Sequence, residues 1–165
     1  MAQPSMDSDK DVLEFGDLLS VMIRSFGAFE RNEIFTCGVT MSQCSTILAI
    51  GKAKTMTMNA LSDWMHLATS TMTRIVDNLV RDGYVERAQD PQDRRVVRVA
   101  LTEKGEQLFQ FIMQIYHEYH RKIVENIPTA ELHKVVESLK LLIEAVKKTP
   151  LLENQACTQV CTQDS

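Results

Sequence analysis

One stretch of this 165-residue chain decides its fold, Thr69-Ser-Thr-Met-Thr-Arg-Ile-Val-Asp-Asn-Leu-Val-Arg-Asp-Gly83. Its apolar residues recur at the i, i+3, i+4, i+7 and i+8 spacing, which predicts a helix with one buried stripe. That stripe consists of Met72, Ile75, Val76, Leu79 and Val80. The outer face at the start of the helix carries Ser70 and Arg74, with Thr71 beside them. Because hydroxyl and guanidinium groups suit phosphates and base edges, this face is a candidate nucleic-acid surface.

The segments on either side of this helix predict a winged helix-turn-helix. A short helix over residues 58–65 and a turn at His66-Leu67-Ala68 precede it, which is helix-turn-helix spacing. Thr69 or Ser70 is the expected N-cap. After Gly83, two β-rich segments at 84–88 and 96–101 enclose a polar turn with Pro91 and two arginines. We therefore expect a two-stranded β wing with those arginines near its tip.

The remaining segments predict a mainly α-helical protein with long terminal helices. Helices are expected at about residues 11–35, 103–126 and 129–147, the second of these with an N-cap at Thr102. A further helix is expected to begin at Thr40 or Ser42 and to end at about residue 49, and residues 51–55 are expected to form a connector. The apolar faces of the first and the last two helices exceed what a small winged lobe can cover. Burial contributes roughly 25 cal/mol per Å², so we expect a homodimer formed through these terminal helices. Such a dimer presents two copies of the 69–83 helix about 34 Å apart to a pseudo-palindromic duplex.

We accordingly predict one domain over residues 1–165. Residues 11–35 and 103–147 form its dimerisation region, residues 40–102 its winged lobe, and residues 149–165 a flexible tail.

Composition limits the class of protein. Hydrophobic residues make up 44% and charged residues 24% of the chain, which is ordinary for a soluble globular protein. The net charge of -4 argues against non-specific coating of nucleic acid but is compatible with a site-specific binder. The acidic, polar start and the lack of a long apolar run predict a cytoplasmic protein with reduced cysteines and no membrane contact. No catalytic constellation or phosphate loop is present in the sequence, so we expect neither enzymatic activity nor a cofactor.

The residues quoted above resemble those of the multiple-antibiotic-resistance regulator (MarR) family. The likeness runs through 61–85, the wing sequence Asp90-Pro-Gln-Asp-Arg-Arg95 and the segment Val99-Ala-Leu-Thr-Glu-Lys-Gly105, and it covers about residues 11–147. It implies a dimeric winged-helix transcription regulator, usually a repressor that a small molecule or oxidation releases from DNA.

The resemblance also implies roles for individual residues. Recognition-helix contacts to the major groove and to phosphates are carried over to Ser70, Thr71, Thr73 and Arg74, with Thr69 added at the start of the helix. In the wing, Arg95 matches the arginine that enters the minor groove, Arg94 is a candidate phosphate contact, and Asp93 matches the acid that orients the wing. Asp77 and Arg81 are expected to support the helix or to contact the DNA backbone.

Several other residues have alternative interpretations. Cys157 and Cys161, with Cys37, are candidates for a thiol, metal or metalloid sensor, whereas Cys44 is expected to be a small buried hydrophobe. His117 and His120 lie one helical turn apart, but exposed helix histidines are commoner than metal ligands.

His66 is expected to be structural or a phosphate contact, and Trp64 to belong to the core. A different class of protein, a helical interaction adaptor whose wing contacts a protein, is the second alternative to the DNA-binding regulator.

Overall fold

The structure, a computed structural model, describes residues 8–34, 37–90, 93 and 96–150. Residues 151–165 of the predicted tail, with Cys157 and Cys161, and the wing residues Arg94 and Arg95 lie outside these ranges. In chain order the elements are α1 (Ser8–Phe29), a π-helix (Glu30–Ile34), α2 (Met41–Ala53), β1 (Thr55–Thr57), α3 (Met58–Met65), α4 (Thr69–Arg81), β2 (Val85–Gln89), β3 (Val97–Leu101), α5 (Glu103–Glu125) and α6 (Thr129–Lys148). The mainly α-helical winged helix-turn-helix is confirmed.

The wing belongs to a three-stranded antiparallel sheet in the order β1-β3-β2. Strand β2 pairs with β3 from Val85 opposite Leu101 to Gln89 opposite Val97. Strand β1 pairs with the other edge of β3, with Thr55 opposite Ala100. The expected two-stranded wing is formed by β2 and β3. The connector expected at residues 51–55 was wrong, because α2 continues to Ala53 and β1 begins at Thr55. The end of that segment is a strand, and a strand of only three residues is too short to show alternation in the sequence.

The core of the winged lobe lies where α2, α3 and α4 pack with the sheet and with the first half of α5. In α4 the predicted stripe is confirmed at Met72, Val76 and Leu79, all fully buried, whereas Val80 is 37% exposed. The other fully buried large side chains are Ile47, Ile50, Leu61, Val85, Val99 and Ile112. Burying one such side chain stabilises the folded state by about 1.5–3 kcal/mol, so this cluster fixes which face of α4 remains outside.

Three of the helix starts use side-chain caps. Thr40 and Gln43 form a reciprocal capping box at α2, with distances of 2.8 and 3.3 Å. Thr57 accepts from the Ala60 amide at the start of α3, and Thr102 accepts from the Gly105 amide at the start of α5. The cap at Thr102, and Thr40 as one of the two candidates for α2, are confirmed.

The chain divides into two compact units, one ending at Glu118 and the other starting at Tyr119, so the boundary falls inside α5. In the first unit, the apolar side chains of α1 are largely exposed, among them Leu13, Leu18 and Ile23 at 62–69%. In the second unit, none of the described residues of α6 is buried. None of the helices in the described ranges combines the length and apolarity needed to span a bilayer.

Candidate nucleic-acid interface

The outer face of α4 is the first component of the site. Thr69, Ser70, Thr71 and Arg74 are all exposed, while the opposite stripe of the same helix is sealed in the core. Thr73 is half-buried, and its hydroxyl donates to the Thr69 carbonyl oxygen at 2.8 Å. The face therefore presents hydroxyls and one guanidinium to solvent from a rigid helix, as binding to a polyanion requires.

The start of α4 differs from the prediction. Its N-cap is Ala68, whose backbone is extended (φ -59°, ψ 141°) and whose side chain cannot cap the helix. The expected N-cap at Thr69 or Ser70 was wrong, because the turn delivers both residues already inside the helix. The amides of the first turn consequently receive no hydrogen bond from the side chain of the N-cap residue.

The turn before α4 depends on one residue with an unusual backbone. His66 has φ 51° and ψ 41°, in the left-handed region, and its amide donates to the carbonyls of Ser62 and Asp63 at the end of α3. This geometry supports the structural interpretation of His66, since the residue closes α3 and redirects the chain into α4. Trp64, two residues earlier, is 53% exposed, so its predicted core position was wrong.

An ion pair joins α4 to the wing. Arg87 Nη1 in β2 donates to Asp77 Oδ1 in α4 at 2.6 Å. This contact supports the prediction that Asp77 braces the helix. Arg81 lies against the neighbouring Asp82 at 3.2 Å, and both side chains are exposed. A pair between sequence neighbours in solvent contributes little to stability, and it leaves the Arg81 guanidinium accessible.

The base of the wing is organised by Asp90, a residue whose role the sequence did not indicate. Asp90 is 7% exposed, and its carboxylate accepts from Arg98 Nε on β3 and from the Asp93 amide. The backbone closes the same loop, because the Asp90 amide donates to Val96 and the Val96 amide donates to Asp93, both at 2.9 Å. Asp93, the predicted wing-orienting acid, is exposed. The strand register explains the contact, since Arg98 faces Ala88, two residues before Asp90.

The candidate effector thiols fall in different environments. Cys44 is fully buried, as expected, and Cys37 is half-buried. Burial, then the neighbouring Cys37 and Glu30, raise the pKa of the Cys44 thiol to about 12. A thiol held protonated is a poor nucleophile and a poor metal ligand, so Cys44 is not a sensor candidate. Within the described parts of the chain, no group of three or more His, Cys, Asp or Glu side chains is arranged to hold a metal ion.

Comparison with known proteins agrees with this architecture. The model of the MarR family matches residues 39–97, from the start of the winged lobe to the beginning of β3. The uncharacterized HTH-type transcriptional regulator YsmB of Bacillus subtilis (strain 168) is 38% identical over 93 residues, and the match spans 56% of this chain and 64% of YsmB. This chain thus spans just under two thirds of that relative.

Two solved structures extend the likeness to most of the chain. A MarR family protein from Bacillus stearothermophilus superposes with a TM-score of 0.79 at 26% identity, covering 86% of this chain and 99% of that one. Streptococcus pneumoniae FabT, solved in complex with DNA, gives a TM-score of 0.74 at 25% identity, covering 82% of this chain and 97% of that one.

The fold and the exposed face of α4 define a winged helix-turn-helix protein of the DNA-binding class. The chain is therefore similar to MarR family proteins, in sequence over residues 39–97 and in fold over most of its length. Its relatives include HTH-type transcriptional regulators.

Proposed function

We propose that the protein is a homodimeric repressor that binds a pseudo-palindromic DNA duplex and is released by a small-molecule effector. The observation that carries the proposal is the division of α4 into a sealed apolar stripe and an exposed face of Ser70, Thr71 and Arg74. On this proposal α4 lies in the major groove, where an arginine fork reads guanine and hydroxyls contact phosphates. Thr69 and Thr73 complete the contact surface at the helix start.

The wing is proposed to contact the adjacent minor groove through Arg95 and a phosphate through Arg94. The described base of the wing supports this role, because the Asp90–Arg98 contact joins the residues on either side of the sequence segment that contains these arginines. Asp93 is proposed to help orient them. A narrow, A·T-rich minor groove attracts an inserted arginine through its negative potential.

Dimerisation is supported by the exposed apolar residues of the terminal helices. Phe15 and Leu18 of α1 are 51% and 64% exposed, and Ile143 and Val146 of α6 are 52% and 60% exposed. Leaving such surface in water forfeits roughly 25 cal/mol per Å². A second copy of the chain is the simplest cover, and a two-fold axis would repeat α4 at about one helical turn of DNA. Size-exclusion chromatography with light scattering should give twice the chain mass, and Leu18→Glu should shift the equilibrium towards monomer.

The effector remains a separate part of the proposal. A small molecule is the favoured class, and the alternative is a thiol, metal or metalloid response through Cys37, Cys157 and Cys161. A Cys157→Ser/Cys161→Ser variant and a Cys37→Ser variant, titrated with hydrogen peroxide and with Zn²⁺ while bound to DNA, distinguish the two. If wild type and both variants respond identically, the cysteines are not the sensor.

The DNA-binding surface can be tested without knowing the operator. A library of random duplexes is enriched on the protein, and the affinity for the selected duplex is measured by fluorescence anisotropy. Arg74→Ala and Arg95→Ala should each weaken binding by roughly five- to 100-fold, as expected for loss of a base or groove contact. Arg121→Ala is the matched control, because it removes the same charge from a pair with Glu125 on α5. If both test variants bind as tightly as wild type, the assignment of these contacts is wrong.

A further inference from the structure

The segment that follows α4 is bound to the start of α5 through three consecutive carbonyl oxygens. The Asp82 carbonyl accepts from Lys104 Nζ at 2.8 Å. The Gly83 carbonyl accepts from the Thr102 hydroxyl at 2.7 Å, and the Tyr84 carbonyl accepts from the Thr102 amide at 3.1 Å. Lys104 of α5 and the cap residue Thr102 thus satisfy the three carbonyl groups that follow the recognition helix.

Lys104 makes a second contact at this junction. Its ammonium lies 4.3 Å from the centre of the Tyr84 ring, within the range of a cation–π interaction. The same ammonium lies at the C-terminal end of α4, where the helix dipole is negative and orphan carbonyls favour a cation. At this position a positive charge is stabilising in addition to the hydrogen-bond donor.

The backbones at this junction are in close contact. A Cβ atom placed on Gly105 would lie 1.9 Å from the Tyr84 carbonyl oxygen. No side chain fits between α5 and the exit of α4, so the two elements are in direct backbone contact. A displacement of the start of α5 must therefore move the end of α4, because a packed junction transmits strain and does not absorb it.

We propose that Lys104 is a positioning residue of the DNA-binding site, which holds the exit of α4 on α5 and so sets the angle at which Ser70 and Arg74 are presented. This inference rests on the proposed role of α4 in DNA binding. Lys104 acts from the far end of the helix and does not touch DNA. The same contact makes the first turn of α5 the point through which a movement of that helix reaches the recognition surface.

The test uses the full-length chain and the selected duplex described above. Lys104→Met keeps the apolar stem but removes the charge and the donor, whereas Lys104→Arg keeps both. Lys104→Met should weaken binding by about three- to tenfold, the factor corresponding to one exposed hydrogen bond, and Lys104→Arg should restore most of the affinity. Lys140→Met, which removes an equal charge from the pair with Glu137 on α6, is the matched control.

The salt dependence of binding separates positioning from direct contact. A lysine that neutralises a phosphate contributes about 0.9 to the slope of log K against log salt concentration. For a positioning residue, Lys104→Met should lower the affinity and leave this slope unchanged. A slope reduced by about 0.9 would show a phosphate contact, and unchanged affinity would show no role at all. Either result overturns the proposal.

Hydrogen exchange provides a readout that does not depend on DNA. The amides of Asp82, Gly83 and Tyr84 donate to Asn78, Val80 and Leu79 at 2.9–3.0 Å. They should exchange faster in Lys104→Met than in wild type or in Lys104→Arg, while the amides of α2 stay protected. If the wild-type chain selects no duplex, the proposed function fails and exchange alone decides this inference. Unchanged exchange at these three amides would refute it.

Discussion

The Asp77 carboxylate on α4 accepts a 2.6 Å hydrogen bond from Arg87 on β2, and this ion pair ties the recognition helix to the wing. The two side chains are 53% and 32% exposed, so solvent screens the attraction and the pair is worth less than a buried one. The ion pair also constrains geometry, because it links the two elements proposed to contact DNA, α4 and the wing, outside the apolar core.

A double-mutant cycle measures this coupling. Asp77→Ala, Arg87→Ala and the double variant should give a coupling free energy of unfolding of about 0.5–1 kcal/mol at low salt. The coupling should decrease in 1 M salt, where the Debye length is about 3 Å. Urea denaturation at the two salt concentrations provides the data, and Arg81 with Asp82 serves as the control pair. Additive single effects at low salt would mean that the ion pair does not link the two elements.

The cap of α4 can be improved by one substitution. Ala68 has the extended backbone of an N-cap residue but no oxygen to accept from the first-turn amides. Ala68→Ser should therefore raise the free energy of unfolding by about 1 kcal/mol, the usual difference between serine and alanine at this position. Ala68→Val, which also lacks an acceptor, is the control and should give no such gain. A serine variant that melts at the wild-type temperature would contradict this account of the helix start.

Sequence alone predicted the parts of the fold that depend on periodicity. The core-facing side of α4 follows from the 3.6-residue repeat of Met72, Val76 and Leu79, and the fold class follows from the order of helices and β-rich segments. The exposed face of α4 was predicted in the same way, because the residues on the side of a helix opposite its buried stripe must face outward. The periodicity of α4 is a local pattern, and it is repeated over several helical turns.

The features that the sequence did not indicate depend on single contacts or on long-range pairing. Strand β1 forms by pairing with the edge of β3 that β2 leaves free. Its three residues are too few to show a strand pattern in the sequence. The cap of α4 falls on Ala68 because the turn at His66 sets the point where the helix begins. The role of Asp90 at the base of the wing can be recognised only from the register of β2 and β3, which places Arg98 beside it.

The contact between α5 and the exit of α4 makes Gly105 intolerant of any side chain. A Cβ atom there would lie 1.9 Å from the Tyr84 carbonyl oxygen and 2.9 Å from its carbon, and backbone cannot swing aside as a flexible side chain does. Gly105→Ala should destabilise the protein by about 2–4 kcal/mol through forced displacement of the junction.

Gly16 provides the matched control in α1, since nothing lies within 4 Å of an added Cβ there. Gly16→Ala should stabilise the chain by about 0.5–1 kcal/mol through helix propensity alone. Thermal unfolding of both variants checks the pair of predictions. Equal melting temperatures for the two variants would show that the α5–α4 junction is looser than the structure indicates.

The buried thiol of Cys44 should make the protein sensitive to alkali. Its pKa rises from 9.0 to about 12 on folding, with burial as the largest cause and the nearby Cys37 and Glu30 as further causes. Burial and a hydrogen bond to Glu30 also raise the pKa of Tyr116. Because the folded state keeps protons that the unfolded state has released, this contribution to stability is complete below pH 9 and is lost as pH rises towards 12.

Urea denaturation between pH 8 and pH 11 should therefore show stability falling with pH, and Cys44→Ala should make that fall shallower even if it lowers stability at pH 8. Cys37→Ser controls for the other described thiol. Peptide mapping after brief iodoacetamide treatment at pH 8 provides a second check, since Cys44 should stay unmodified until urea unfolds the chain. Rapid alkylation of Cys44 in the native protein would contradict both its burial and its raised pKa.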